Sequence, residues 1–119
     1  MMDEVLLVLT NLPDRASANK LAHQLIESRS AACVNILAEC TSVYRWQGKI
    51  ENASEVPLMI KTTRSVYAKL EEMIRSHHPY ELPEIIAVSV KAGLPAYLQW
   101  VTQVVTTENL PITKVATKE

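Results

Sequence analysis

Glycine is scarce in this sequence, which has only 2 glycines, Gly48 and Gly93, among 119 residues. Phosphate-binding loops of the P-loop and Rossmann types need several closely spaced glycines, so nucleotide binding by either route is excluded. Cysteine is equally rare, with 2 residues. Two cysteines make no disulfide framework, and a reduced, cytoplasmic protein is the expectation. The first four residues, Met-Met-Asp-Glu, are acidic where a secretory signal is basic, so no export segment is expected.

Long apolar runs and an excess of positive charge are missing as well. The longest apolar run, residues 5–9, is far too short to span a bilayer. Lys and Arg total 12 against 13 Asp and Glu. No basic block is available to neutralise a phosphate backbone, so nucleic acid is not an expected partner. Phenylalanine is absent, so a single domain over residues 1–119 is expected to build its core from Val, Ile, Leu and Ala.

The apolar periodicity predicts strands that alternate with helices. Extended segments are predicted at residues 5–10, 32–36, 42–46, 49–50, 56–62 and 85–90. The segment 5–10 is apolar on both faces, which is typical of a central strand. Pro57 is expected to mark a bulge or an unpaired edge. Gly48 is expected to lie in a turn that needs a positive φ.

Three helices are predicted. The first covers residues 15–28 and has Asp14 as its N-cap. The second is capped by Thr63 or Ser65 and ends by residue 78, because Pro79 disfavours helical geometry in the residue before it. The third has Pro95 in its first turn. Its apolar residues, at helical spacing, are Leu94, Leu98, Val101 and Val105.

The order β-α-β-β-α-β followed by a helix predicts an α+β domain of the ferredoxin-like type, an antiparallel sheet with helices on one face. The central hairpin, residues 32–62, is longer than a domain of this size can cover. Its exposed edges would promote aggregation unless another subunit pairs with them. A closed homo-oligomer built through this hairpin is therefore predicted. Residues 108–119 form a C-terminal tail with a short β-prone piece at 112–115.

Five blocks of sequence read Ala-Ala-Cys-Val-Asn (31–35), Ser-Val-Tyr-Arg-Trp-Gln-Gly-Lys-Ile-Glu (42–51), Ile-Lys-Thr (60–62), His-Pro-Tyr-Glu-Leu-Pro-Glu-Ile (78–85) and Tyr-Leu-Gln-Trp-Val (97–101). Together these blocks resemble the CutA divalent-cation tolerance family. Their order and spacing match the family across residues 5–105. The resemblance implies a homotrimer of ferredoxin-like subunits, similar in architecture to the PII signalling proteins. It also implies a role in tolerance of divalent metals, copper above all, and supplies no settled chemical activity.

His77 and His78 are the best candidates for metal ligands. Imidazole nitrogen suits copper and zinc, and the affinity order favours Cu²⁺. In CutA-like proteins the proposed copper site joins this histidine pair to a thiol at the end of the first strand, where this chain has Thr10. The missing thiol argues against Cu(I) binding of that pattern. The alternative is that both histidines only interact with the last carbonyl groups of the helix and its dipole.

The two cysteines are interpreted as structural. Cys33 matches the Ala-Ala-Cys-Val block of the family and is predicted to be a small buried hydrophobe. Its functional alternative is a thiolate ligand or a redox-sensitive group. Cys40 matches no recurring position and is expected to lie near the surface, at the strand break.

Aromatic and charged residues on the hairpin and the proline-braced loop are predicted to meet at a subunit boundary. Tyr44 and Trp46, together with Trp100 of the third helix, are expected to anchor the trimer interface or cleft while the charges pair. A compatible alternative is a small polar pocket that binds a small charged ligand. Its candidate residues are Lys61, Tyr80, Glu81 and Glu84.

No catalytic residue is predicted, because the sequence shows no nucleophile beside a base. The main hypothesis is a non-enzymatic homotrimer that binds Cu²⁺ weakly through His77 and His78, other divalent cations remaining open. Cys33, Glu81 and Glu84 are candidates for additional ligands. The alternative is a PII-like signalling or scaffold trimer that binds a small ligand or a partner protein in the cleft between subunits. A third interpretation is an inert, very stable trimer whose link to metals is indirect.

Overall fold

The computed structural model describes residues 3–106. The elements in chain order are β1 (Val5–Leu12), α1 (Arg15–Glu27), β2 (Cys33–Ile36), β3 (Cys40–Trp46), β4 (Lys49–Thr63), α2 (Tyr67–His77), β5 (Ile86–Ser89) and α3 (Pro95–Thr106). The predicted tail at 108–119 lies outside the described residues. No helix within residues 3–106 is long and apolar enough to cross a bilayer.

The sheet has the order β2-β4-β1-β5, and β3 pairs with the other end of β4. Every pair is antiparallel, with Val8 opposite Ile60 in the central β1–β4 pair and Val8 also opposite Ala87 of β5. The predicted ferredoxin-like arrangement is therefore confirmed. The central position of β1, predicted from its apolar run, is confirmed as well.

Alternate residues of β1 and β4 face opposite sides of the sheet. One face packs against α1 and α2 through a buried cluster that includes Leu6, Val8, Leu58 and Ile60. The other face meets α3 only at one end, where Val5 joins a smaller cluster. Elsewhere on this second face the strand residues are half-buried or exposed, except for Glu55 of β4, which is buried. The two helices of the predicted β-α-β-β-α-β unit therefore share one face, and α3, the helix that follows this unit, packs on the other.

The central hairpin projects from the sheet as an arm, which we define as β3 together with residues 49–55 of β4. The prediction of two separate strands at 49–50 and 56–62 was wrong, because β4 is one strand of 15 residues. Backbone pairing with β3, from Cys40–Glu55 to Trp46–Lys49, carries the strand through its polar part. Pro57 lies opposite the gap between β2 and β3, where its carbonyl accepts from Leu37 N at 3.0 Å. The missing N–H of Pro57 therefore interrupts neither the backbone hydrogen bonds between β4 and β2 nor those between β4 and β3.

The turn at the tip of the arm has positive φ at both central residues, 51° for Gln47 and 83° for Gly48. This is the pattern of a type I′ turn, whose twist matches that of the paired strands. The prediction for Gly48 is confirmed. The positive φ of Gln47 was not predicted, since Gln has no special preference for this region.

The residues at the start of α1 and α3 agree with the local sequence, whereas the start of α2 does not. Asp14 caps α1, with Oδ1 accepting from Ser17 N at 2.8 Å, and Pro95 opens α3. The predicted caps of α2 were wrong, because α2 follows Val66 with no side-chain cap. The Ser65 hydroxyl donates instead to the Asp3 carboxylate, a partner distant in sequence.

The inner face of α3 was predicted correctly at its C-terminal end and incorrectly at its start. Val101 and Val105 are buried in the smaller cluster, and Leu98 packs against it. Leu94 precedes the helix and is 71% exposed. The periodicity extended one turn too far, because Pro95 begins the helix after Leu94.

Candidate functional site

An open groove, the arm groove, lies between the arm and residues 78–86. Its volume is about 1280 Å³. Among the residues that line it are Tyr44, Trp46, Glu55, Tyr80, Glu81 and Glu84. The arm supplies the aromatic wall, and the loop between α2 and β5 supplies two of the carboxylates. Five of the predicted site residues are thus brought together in one chain.

Glu55 and Tyr80 tie the loop to the arm. The Tyr80 hydroxyl donates to Glu55 Oε2 at 2.9 Å, and Glu55 is only 7% exposed. Burial raises the pKa of Tyr80 above its ordinary value, and the hydrogen bond and charge of Glu55 raise the pKa further. The phenol therefore stays protonated over the whole physiological range and remains a donor.

His78 is held on both sides of its ring. Its Nδ1 accepts from Tyr80 N at 3.1 Å, so the proton lies on Nε2, which donates to the Asn11 carbonyl at 2.6 Å. Burial lowers the pKa of His78, while the Asn11 carbonyl and Glu55 oppose that shift. Both nitrogens of the neutral ring are used, so His78 has no lone pair to offer a metal in this arrangement.

His77 faces a different environment. Its Nδ1 lies 2.9 Å from the Met73 carbonyl oxygen and 3.1 Å from Ser76 Oγ, whose own proton goes to the same carbonyl. Because a carbonyl only accepts, we assign the proton to Nδ1 and the lone pair to Nε2. The ring borders a small groove of about 200 Å³ between α1 and the end of α2, which Lys20 and Gln24 also line. An exposed imidazole with this tautomer is able to coordinate a metal.

The divergence of the two rings follows from Pro79. His77 is the last residue of α2, whereas His78 has φ −88° and ψ 137°, which is extended geometry. The residue before a proline is driven out of the helical region by the proline ring. Two neighbouring histidines, one helical and one extended, therefore point to different sides of the chain.

The remaining predicted ligands form no complete coordination shell. Glu84 Oε1 accepts from Asn11 Nδ2 at 3.0 Å, so Glu84 and His78 have Asn11 as a common hydrogen-bond partner. Glu81 is exposed at the arm groove. Within residues 3–106 no group of three or more His, Cys, Asp or Glu side chains could hold a metal ion. Thr10 is buried, and its Oγ1 has no hydrogen-bond partner in the described part of the chain.

Lys61 and Cys33 lie together and away from the arm groove. They are directly opposite each other in the β2–β4 register, and Lys61 Nζ lies 4.0 Å from Cys33 Sγ. Cys33 is half-buried and Cys40 is exposed. Trp100 belongs to the cluster around α3, where its ring centroid is 5.6 Å from that of Tyr97. Neither Lys61 nor Trp100 lines the groove of this single chain.

Glu55 and Asn11 are the residues that the sequence reasoning missed. Asn11 is the last residue but one of β1 and hydrogen-bonds both His78 and Glu84. Glu55 stands where the polar stretch 51–55 meets the buried residues that follow. A carboxylate at the boundary between polar and buried residues is the sequence feature that could have marked Glu55 as a candidate. The partner, Tyr80, is 25 residues away, and no local pattern predicts that contact.

The comparisons with known proteins agree over most of the chain. The family described as CutA1 divalent ion tolerance protein matches residues 6–104. Protein CutA of Mus musculus is 50% identical over 92 residues, which cover 77% of this chain and 52% of the mouse protein. The chain thus spans about half the length of that relative. The divalent-cation tolerance protein CutA of Thermus thermophilus is 43% identical over 83% of this chain and 94% of its own.

The fold agrees with solved structures of the same family. CutA1 from Oryza sativa superposes with a TM-score of 0.83 at 35% identity, covering 86% of this chain and 94% of the rice chain. The name of the family describes tolerance of divalent ions and names no reaction. Sequence and structure together show that this chain belongs to the CutA1 divalent ion tolerance family.

Proposed function

We propose that the chain assembles as a homotrimer in the cytoplasm and binds Cu²⁺ weakly, without catalysing a reaction. His77 is the primary ligand in this proposal, and His78 is the second. Glu81 and Glu84 are the additional candidates on the side of His78, whereas the distant Cys33 is not part of the site. The role in tolerance is to bind the ion, which is cargo and not a cofactor.

The observation that carries this proposal is the contact of 2.9 Å between His77 Nδ1 and the Met73 carbonyl oxygen. Ligating histidines commonly donate one ring N–H to a backbone carbonyl, which fixes the ring and directs the other nitrogen at the metal. The contact between His77 Nδ1 and the Met73 carbonyl has this form. Nitrogen ligands favour Cu²⁺ over the other divalent first-row ions.

The recruitment of His78 explains why binding is weak. His78 would have to release either the Tyr80 amide or the Asn11 carbonyl before a ring nitrogen became free. Each of these hydrogen bonds contributes about 0.5–1.5 kcal/mol, and that energy is subtracted from the binding free energy. A single imidazole then supplies most of the affinity.

Exposed apolar surface supports self-association. Val43 and Ile50 on the arm are each 65% exposed, and Ile86 and Val88 of β5 are 50% and 52% exposed. The chain measures 48 × 27 × 25 Å, so the arm reaches well beyond the packed layers. Contiguous apolar surface and long unpaired edges are usually covered by another chain. Three copies follow from the family resemblance.

The test is a calorimetric titration of the metal-stripped assembly with Cu²⁺ and Zn²⁺, with the mass measured by light scattering. His77→Ala is expected to abolish the saturable Cu²⁺ site in an intact trimer, and His78→Ala to weaken it about tenfold. His23→Ala is the matched control, because His23 Nδ1 makes the same contact to a carbonyl one turn back, Asn19 O at 2.9 Å.

The outcomes separate the two parts of the proposal. Copper binding that survives removal of both imidazoles, or that falls equally in His23→Ala, would overturn the site. A mass other than that of three chains would overturn the trimer while leaving the metal site to be judged from the titration. Cell fractionation with an antibody tests the cytoplasmic location.

The arm groove favours a second candidate function, the binding of a small cationic ligand. Glu55, Glu81 and Glu84 supply negative charge, and the aromatic rings of Tyr44 and Trp46 attract cations over their faces. A thermal-shift screen with primary amines and guanidines tests this function, since a ligand of the native state raises the melting temperature. Glu81→Gln should reduce the shift. Shifts produced only by metals would count against the groove as a ligand site.

A further inference from the structure

Cys33, Lys61 and Tyr97 form a cluster of reactive side chains that neither proposed function uses. Lys61 Nζ donates to Cys33 Sγ at 4.0 Å and also to Asn35 Oδ1, which holds the amine beside the sulfur. Burial and the neighbouring Cys33 raise the pKa of Tyr97 of α3. The contact joins two paired strands, so it is set by the backbone register and not by a mobile loop.

A thiol next to a primary amine has a specific oxidative chemistry. Oxidised cysteine in the sulfenic acid form condenses with a nearby nitrogen to give a sulfenamide. We propose that Cys33 and Lys61 form a reversible sulfur–nitrogen cross-link when a peroxide oxidises the thiol. The flexible four-carbon stem of Lys61 allows the amine to close the remaining distance to sulfur.

The reaction proceeds in two balanced steps. Hydrogen peroxide removes two electrons from the Cys33 sulfur, giving a sulfenic acid and one water. The Lys61 ammonium first releases a proton to water, and the lone pair of the resulting amine then attacks the sulfur, so that the S–N bond forms and the S–O bond breaks. The leaving hydroxide takes a proton from the amine and departs as a second water. Each residue loses one hydrogen overall, and a thiol reductant reverses the bond.

Cys40 cannot replace Lys61 as the partner within one chain. Cys33 pairs with Lys61 and Cys40 pairs with Glu55, two positions of β4 that are six residues apart. At roughly 3.3 Å per residue the two cysteines are separated by about 20 Å along the strand. A disulfide needs Cα atoms within about 7 Å. Cys40 therefore does not compete with Lys61 for an oxidised Cys33 within one chain.

The test uses the full chain carrying Cys40→Ser, treated with hydrogen peroxide and measured by intact mass and peptide mapping. The expected product has lost two hydrogens, contains a peptide that joins residues 33 and 61, and returns to its original mass with dithiothreitol. Lys61→Arg keeps the positive charge but has no amine, so its product is expected to gain one oxygen instead. Lys91→Arg is the matched control and should cross-link like its parent.

Three results would overturn the proposal. The Cys40→Ser protein could gain oxygen without forming the linked peptide, or it could resist peroxide altogether. The loss of two hydrogens could also persist in Lys61→Arg. The peptide map of the Cys40→Ser protein decides the question directly, even if Lys61→Arg does not fold.

Discussion

The hydrogen bond between Tyr80 and Glu55 joins the 78–86 loop to the arm, and we expect its loss to destabilise the fold measurably. Tyr80→Phe deletes the hydroxyl that lies 2.9 Å from Glu55 Oε2. Glu55 is 7% exposed, so little water can replace the lost donor. Hydrogen bonds to charged groups contribute about 1.5–3 kcal/mol, so the free energy of unfolding should fall by about 2 kcal/mol.

Urea unfolding followed by tryptophan fluorescence measures this change, at one fixed protein concentration because association contributes to stability. Tyr44→Phe is the control, since Tyr44 lines the same groove and is 44% exposed. Its effect should stay within about 0.5 kcal/mol. In a Glu55→Gln background the bond is neutral, and Tyr80→Phe should cost about 1 kcal/mol.

The reasoning would be refuted by either of two results. Tyr80→Phe could unfold within 0.5 kcal/mol of the parent, roughly the level of a neutral surface change. The cost of Tyr80→Phe could also be the same with Glu55 and with Gln at that position. The second result would mean that the hydroxyl stabilises the loop by packing or water contacts and not through the carboxylate.

Three further predictions concern stability. Burial lowers the pKa of His78 below 6.5. The neutral ring therefore contributes fully to the free energy of unfolding above pH 6.5, and this contribution is lost as the pH falls through the lower pKa of the folded state. His78→Gln should flatten that part of the pH profile of stability measured by urea unfolding. Asp14→Ala removes the α1 cap and should cost about 1 kcal/mol in the same assay, and no loss would mean that water replaces the cap. Leu58→Ala, at a fully buried position, should cost about 2–5 kcal/mol; a loss under 1 kcal/mol would show that the core collapses around the gap.

Most of the fold could be predicted because periodicity and local chemistry agree. The buried residues of α1, Ala18, Leu21, Ala22 and Leu25, follow the helical spacing, and Asp14 supplies the cap. The incorrect predictions occur where a residue distant in sequence determines the local structure. Ser65 bonds to Asp3 and not to α2, and the polar part of β4 is extended because β3 pairs with it. Neither partner is visible in a short window of sequence.

Several residues that line the arm groove could be chosen from the sequence, but their contacts could not. Tyr44, Trp46, Tyr80, Glu81 and Glu84 do line one groove, and the hydrogen bond from Tyr80 to Glu55 joins the proline-braced loop to the arm. Lys61 does not line the arm groove of the single chain, because its strand position places it beside Cys33. A one-dimensional pattern identifies the chemistry of a residue, but register decides which other side chains it meets.

The histidine pair shows most clearly how backbone geometry limits a sequence motif. Adjacent histidines suggest a shared metal, but Pro79 makes His78 extended while His77 remains helical. The extended residue then satisfies both ring nitrogens within the fold, and the helical one keeps a free nitrogen at the surface. Copper affinity in this chain should therefore depend far more on His77 than on His78. A metal that engaged both rings would have to loosen the same loop that Tyr80 and Glu55 hold in place.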